Sequence, residues 1–209
     1  MNNAPVFTML AVLLFSGASS AAPKITSLQQ LKFSGIQRQT LDYSCGAASL
    51  TILLNQYFSD SIGEQQILSE IIHRLSKEEL LDRVRKGFSM LDLKNAAENL
   101  GYNAAGVMLP LEAASRLKGP TIILLRRKEL NHFVVLKGVS QGKAFLADPA
   151  RGNLRMPLYE LQKQWHGETL IVGRDDVGLI QDHLLALPNT RSLYPESNTV
   201  RTLQQLPFK

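Results

Sequence analysis

Four kinds of side chain in this sequence can be combined into an acyl-transfer site: a thiol, an imidazole, a carboxylate and a carboxamide. Cys45 is the only cysteine in 209 residues, and it ends the run Gln39-Thr-Leu-Asp-Tyr-Ser-Cys45, just ahead of Gly-Ala-Ala-Ser49 and an apolar stretch with helical spacing. The unpaired N–H groups at the start of a helix carry partial positive charge, which favours a thiolate and makes a cysteine there nucleophilic. Gly46, Ala47, Ala48 and Ser49 leave space beside the sulfur for a substrate chain. Gln39 carries a side-chain amide able to donate toward an acyl-transfer oxyanion. The opposing reading is a buried cysteine that serves only as a small hydrophobe.

A nucleophilic thiol needs a base, and the chain offers four histidines: His73, His132, His166 and His183. His132 opens His132-Phe-Val-Val-Leu-Lys-Gly-Val139, a β-branched run that reads as a buried strand, and a strand holds a base more rigidly than a loop does. Asp148-Pro149 closes the next strand, Lys143 to Ala147, beyond a Gln141-Gly142 turn. Adjacent antiparallel strands can present His132 and Asp148 side by side, with the carboxylate fixing the tautomer and stabilising the charged imidazole. His166 lies near Gly167 in a loop and is less well supported, His73 reads as a surface residue, and His183 has no evident partner. An Asp followed by Pro and Gly also suits an ordinary turn, so the spacing to His132 is what singles Asp148 out.

Taken in order, Gln39 with Cys45-Gly46-Ala47-Ala48, His132-Phe133-Val134-Val135, Asp148-Pro149 followed by Gly152, and Trp165-His166-Gly167 resemble cysteine peptidase family 39 over about residues 35 to 173. These are bacteriocin-processing peptidases that cut after a double-glycine leader. The resemblance implies a papain-like fold, with Cys45 as nucleophile, His132 as general base and acid, Asp148 as its orienting partner and Gln39 as oxyanion donor. Ser44 departs from the Asp common before the family's cysteine.

The elements that must position these residues follow from periodicity. A helix is expected from Cys45 to about Phe58. Ser61-Ile-Gly-Glu64 reads as a capping box opening a second helix with Ile67, Leu68, Ile71, Ile72 and Leu75 on one face. Ser76-Lys-Glu-Glu79 caps a third helix, through Val84, and Gly87 to Leu93 leads into a fourth that Gly101 ends. Strands are expected at Tyr102–Val107, Thr121–Arg126, His132–Val139, Lys143–Ala147 and Thr169–Gly173, with helical segments near Leu111–Leu117 and Leu158–Gln164. Trp165 reads as core packing. Helices followed by strands predict an α+β domain with an antiparallel sheet, and the cleft between the layers is the expected site.

At 44% apolar residues, the chain can bury one full core and is short for two domains. Residues 1–22 have the form of a secretory signal: a short apolar run from Pro5 to Phe15, then small residues with a cleavage site near Ala21 or Ala22. The run is shorter than a bilayer span, so no stable membrane insertion is expected after signal removal. The remaining organisation reads as a peptidase domain over 23–173 and an extension over 174–209, in which Asp175 to Leu187 has the spacing of an amphipathic helix. The net charge of +5 is concentrated locally at Arg126-Arg127-Lys128 and at Arg83, Arg85 and Lys86, which read as solvated faces. No aromatic residues interleave them, which argues against a nucleic-acid partner. No Gly-rich phosphate loop or metal-ligand spacing is present, so no cofactor is expected.

The expected function is an exported, periplasmic or secreted cysteine endopeptidase acting on a peptide or protein after small, Gly-Gly-like residues. Stand-alone exported relatives in functional-amyloid secretion systems extend the resemblance to secretion or amyloid-assembly proteins as partners. Two alternatives share the fold: a peptide-binding or chaperone module that does not cleave, and an acyl or amide transferase using the same triad.

Overall fold

The computed structural model describes residues 27–126 and 131–187. The expected signal segment and cleavage site, the basic residues Arg127 and Lys128, and the end of the C-terminal extension lie outside the described residues. An N-terminal set of helices, α1 (Leu28–Lys32), α2 (Cys45–Tyr57), α3 (Glu64–Ile72), α4 (Lys77–Lys86) and α5 (Met90–Asn99), precedes a sheet. The sheet contains β1 (Asn103–Met108), β2 (Thr121–Leu125), β3 (His132–Ser140), β4 (Lys143–Asp148), β5 (Gly152–Pro157) and β6 (Glu168–Gly173). Two short helices, α6 (Leu111–Ala114) and α7 (Leu158–Gln164), fall between strands. The strand order is β1-β6-β2-β3-β4-β5, and every pairing is antiparallel.

Both faces of the central strands are covered, which explains the continuous apolar run of β3. Phe133 and Val135 join Leu50, Leu53, Leu93 and Ile122 in the core between the sheet and α2, α3 and α5. Val134 and Leu136 join Ile123, Leu125, Leu146, Leu161 and Trp165 in a second core, to which α7 contributes. Period-two alternation is thus present but hidden, because both sets are buried. Trp165 is buried and donates its indole N–H to the Glu168 carbonyl at 3.0 Å.

Several expectations about the helices and strands require correction. Ser61 does not cap α3: Gly63 holds that position without a side-chain bond, and the Glu64 carboxylate instead accepts from the Thr40 N–H at 3.2 Å. The box at Ser76 does form, and a further one that was not read from the sequence forms at Ser89, each with a reciprocal bond to the third helical residue. Arg83 is not merely solvated, since its Nε meets the buried Asp92 carboxylate at 2.6 Å. Two elements were not anticipated, α1 and the strand β5, which pairs with β4 along its whole length. Residues 175–187 contain no helix. That segment runs along the domain in irregular form, with the Ile180 N–H on the Tyr57 hydroxyl, the Leu184 N–H on the Gln56 carbonyl and Leu185 buried.

Candidate active site

Cys45 is the first residue of α2 and is 2% exposed. Ser44 precedes it but does not cap the helix through its side chain. The Ser44 hydroxyl turns back instead, accepting from the Leu41 N–H at 3.1 Å and donating to the Leu41 carbonyl at 2.9 Å. The first helical hydrogen bond is Ala48 N–H to the Ser44 carbonyl. Backbone N–H groups of the first turn therefore remain for an anion beside the sulfur.

His132 is the first residue of β3 and is 7% exposed. Its Nε2 meets Asp148 Oδ1 at 2.9 Å, which leaves Nδ1 as the ring nitrogen for another partner. The Cys45 side chain lies near enough to act on the charge of the ring. Burial alone would lower the histidine pKa, but Asp148 and Cys45 outweigh it and raise the value above 6.5. Asp148, the last residue of β4, is fully buried. Burial would push its carboxyl up, yet the bonds and charges of His132 and Arg151 hold it well below the usual carboxylate range.

The helix and the sheet are locked together one turn from the thiol. Ser49 Oγ donates to the Phe133 carbonyl at 3.0 Å, so the residue four after Cys45 is bonded to the residue after His132. Gly46 lets this contact close. A Cβ there would stand 3.0 Å and 3.1 Å from the Leu93 methyls and 3.2 Å from the Phe133 ring.

Gln39 lies in the turn before α2. Its N–H donates to the Pro149 carbonyl at 3.2 Å, which fastens it to the turn carrying Asp148. Its Nε2 donates to the Leu41 carbonyl at 3.1 Å, and its Oε1 is buried with no hydrogen-bond partner among the described residues. His132 and Asp148 are thus bonded at adjoining strand ends, and the backbone of Gln39 is tied to the residue after Asp148.

The other histidines lie elsewhere. His73 is exposed at the end of α3, with Nδ1 on the Ser69 carbonyl, and His166 is exposed after α7. His183, for which the sequence suggested no partner, packs its ring edge-on against Tyr57 with centroids 4.7 Å apart. Burial, with Lys137 nearby, lowers its pKa. Arg151 and Glu64 were not anticipated at all. Arg151 bonds Asp148 and Glu64 holds Thr40, beside Gln39. Only the i,i+3 spacing of Asp148 and Arg151 in a turn hinted at either. Among the described residues no group of three or more His, Cys, Asp or Glu side chains could hold a metal ion.

A buried thiol at a helix start, with a histidine that a carboxylate holds at the end of a central strand of the opposing sheet, defines a papain-like cysteine peptidase. The family model described as the Peptidase C39 family matches residues 34–176. The chain belongs to that family. It is 30% identical over 151 residues to a protein of Pseudomonas aeruginosa called "Probable functional amyloid protease FapD", covering 72% of this chain and 66% of that one. A protein of the same name from Pseudomonas fluorescens is 28% identical over 159 residues, covering 76% and 69%. The chain thus spans about two-thirds of the length of these relatives. Among solved structures it resembles a double glycine motif protease from an AMS/PCAT transporter in complex with the leader peptide, with 30% identity and a TM-score of 0.55, covering 66% of this chain and 90% of that one.

Proposed function

We propose that this chain is an exported cysteine endopeptidase that cleaves a peptide after small residues, of the Gly-Gly kind, using Cys45, His132, Asp148 and Gln39. The observation that carries this reading is the His132 ring, bonded to the buried Asp148 carboxylate at one nitrogen and interacting with Cys45.

In the first half-reaction the Cys45 Sγ attacks the carbonyl carbon. The oxyanion is met by the Cys45 N–H and the Gln39 amide, whose Nε2 carries two N–H groups and spends one on the Leu41 carbonyl. As the C–N bond breaks, the His132 imidazolium gives its proton to the departing amine and a thioester remains. In the second, water attacks the thioester carbon while His132 takes its proton, the C–S bond breaks, and the carboxylic acid leaves. Asp148 orients His132 and stabilises its charged form in both halves.

The substrate class rests on the leader-peptide complex of the related double glycine protease, and a role beside secreted fibres or amyloid subunits rests on the name of the Pseudomonas relatives. Export rests on the form of residues 1–22. No helix among the described residues is long and apolar enough to cross a membrane. Peptide-library profiling of the mature protein, with Cys45→Ala as control, tests the reading. Cleavage after small residues that is abolished in the variant is expected, and an absence of any Cys45-dependent cleavage would refute it.

A further inference from the structure

Asp148 is bound by more than His132. Its Oδ1 accepts from His132 Nε2 at 2.9 Å and from the Ala150 and Arg151 N–H groups at 2.8 Å and 3.0 Å. Its Oδ2 accepts from Arg151 Nε at 2.7 Å. The two oxygens therefore have separate duties, and the guanidinium fixes the rotation that turns Oδ1 to the imidazole. The Arg151 side chain is 38% exposed, yet its Nη2 is buried, so the head is drawn down onto the turn. Gly152 anchors the other end of the same turn. With φ +80 it pairs with Asp148, and a Cβ there would lie 2.4 Å from the Lys32 carbonyl oxygen.

We infer that Arg151 is a positioning residue for the proposed reaction, a permanent counter-charge that keeps Asp148 ionised and aimed at His132 through the whole cycle. This rests on the peptidase reading above. The chemistry requires such a group because His132 alternates in charge. While it is the imidazolium, Asp148 has a cationic partner. Once its proton has gone to the leaving amine, a carboxylate with no solvent contact would face a neutral ring, and burial would favour protonating it. Arginine does not titrate in this range, so its charge persists when that of His132 does not.

The test is the pH profile of Cys45 alkylation by iodoacetamide, which needs no known substrate, in wild type, Arg151→Met, Arg151→Lys and His132→Ala, with melting temperatures measured alongside. Arg151→Met should move the acid limb of the profile toward neutral pH by about one pH unit, in line with the loss of a cation beside a carboxylate. Arg151→Lys should move it less. A limb that stays in place in Arg151→Met, or rates lowered equally at every pH with a lower melting temperature, would overturn the inference. Should Arg151→Met fail to fold, Arg151→Lys carries the test: a smaller shift in the same direction supports it and an unmoved limb refutes it. If wild type and His132→Ala react alike at neutral pH, the peptidase reading fails. If they differ while both Arg151 variants match wild type, only the role of Arg151 fails.

Discussion

The Ser49 hydroxyl donates to the Phe133 carbonyl at 3.0 Å, joining the helix that begins with Cys45 to the strand that begins with His132. Both groups are buried. Thiol and imidazole come from segments 87 residues apart in sequence, and this bond sets their separation from one turn and one residue away. Ser49→Ala removes a buried donor and is expected to cost about 1–2 kcal/mol. It should lower peptidase activity by more than the loss of folded protein explains. Chemical denaturation together with peptide cleavage checks this, and activity that tracks stability alone would mean that the bond does not set the site.

Gly152 makes a second, sharper case. A Cβ at this position would meet the backbone oxygen of Lys32 at 2.4 Å, and the positive φ adds strain for any L side chain. Gly152→Ala should therefore destabilise the protein by about 2 kcal/mol or more. Because Asp148 pairs with Gly152 at the end of the β4–β5 hairpin, alkylation of Cys45 should slow as well. A melting curve and a thiol-labelling rate on the same preparation measure both effects.

The residues whose side chains could do chemistry stood out in the sequence because each sits in a local run with its own signature: Cys45 before small residues and a helical stretch, His132 at the head of a β-branched strand, Asp148 before a proline turn. What could not be read depended on distant partners. The β5 strand offers only Leu154 and Met156 in alternation and is held by β4 and by the entering chain, with Asn153 Nδ2 on the Ser34 carbonyl at 3.1 Å. Ser61-Ile-Gly-Glu64 has the letters of a capping box, but the Glu64 carboxylate is drawn to Thr40 across 24 residues. The apolar spacing of 175–187 suggested a helix, whereas its backbone groups are taken up one at a time by Gln56 and Tyr57. Gln39, singled out for its amide ahead of Cys45 and by the family resemblance, has that amide engaged by Leu41, which no sequence pattern foretold.

The pH dependence of stability follows from the two shifts in the buried pair. His132 is raised above 6.5, so its contribution is complete below that pH and is lost as pH rises through the folded value. Asp148 is depressed below 3.8, so its contribution is complete above that pH and is lost as pH falls through the folded value. Their joint effect is greatest between about 3.8 and 6.5. Asp148→Asn breaks a buried pair, which costs on the order of 3 kcal/mol. The melting-temperature gap between wild type and Asp148→Asn should be widest in that window and narrow at higher pH. A gap that widens steadily above pH 6.5 would contradict the assignment.

Gly46 tests packing against the thiol from the helix side. Gly46→Ala must push aside Leu93 and Phe133, both in the core, and should cost about 1–3 kcal/mol. Leu93→Ala in the same chain should recover part of the Cys45 alkylation rate by giving the new methyl room, although it creates its own loss of stability. A double-mutant cycle reads the coupling.

The most direct measurement is the rate at which iodoacetamide modifies Cys45 at pH 7 in wild type and in His132→Ala. If the imidazole draws the proton from the thiol, the variant should react at least about tenfold more slowly while remaining folded, in keeping with the effect of removing a general base. Equal rates in the two folded proteins would show that Cys45 does not depend on His132, and would contradict the account at its centre.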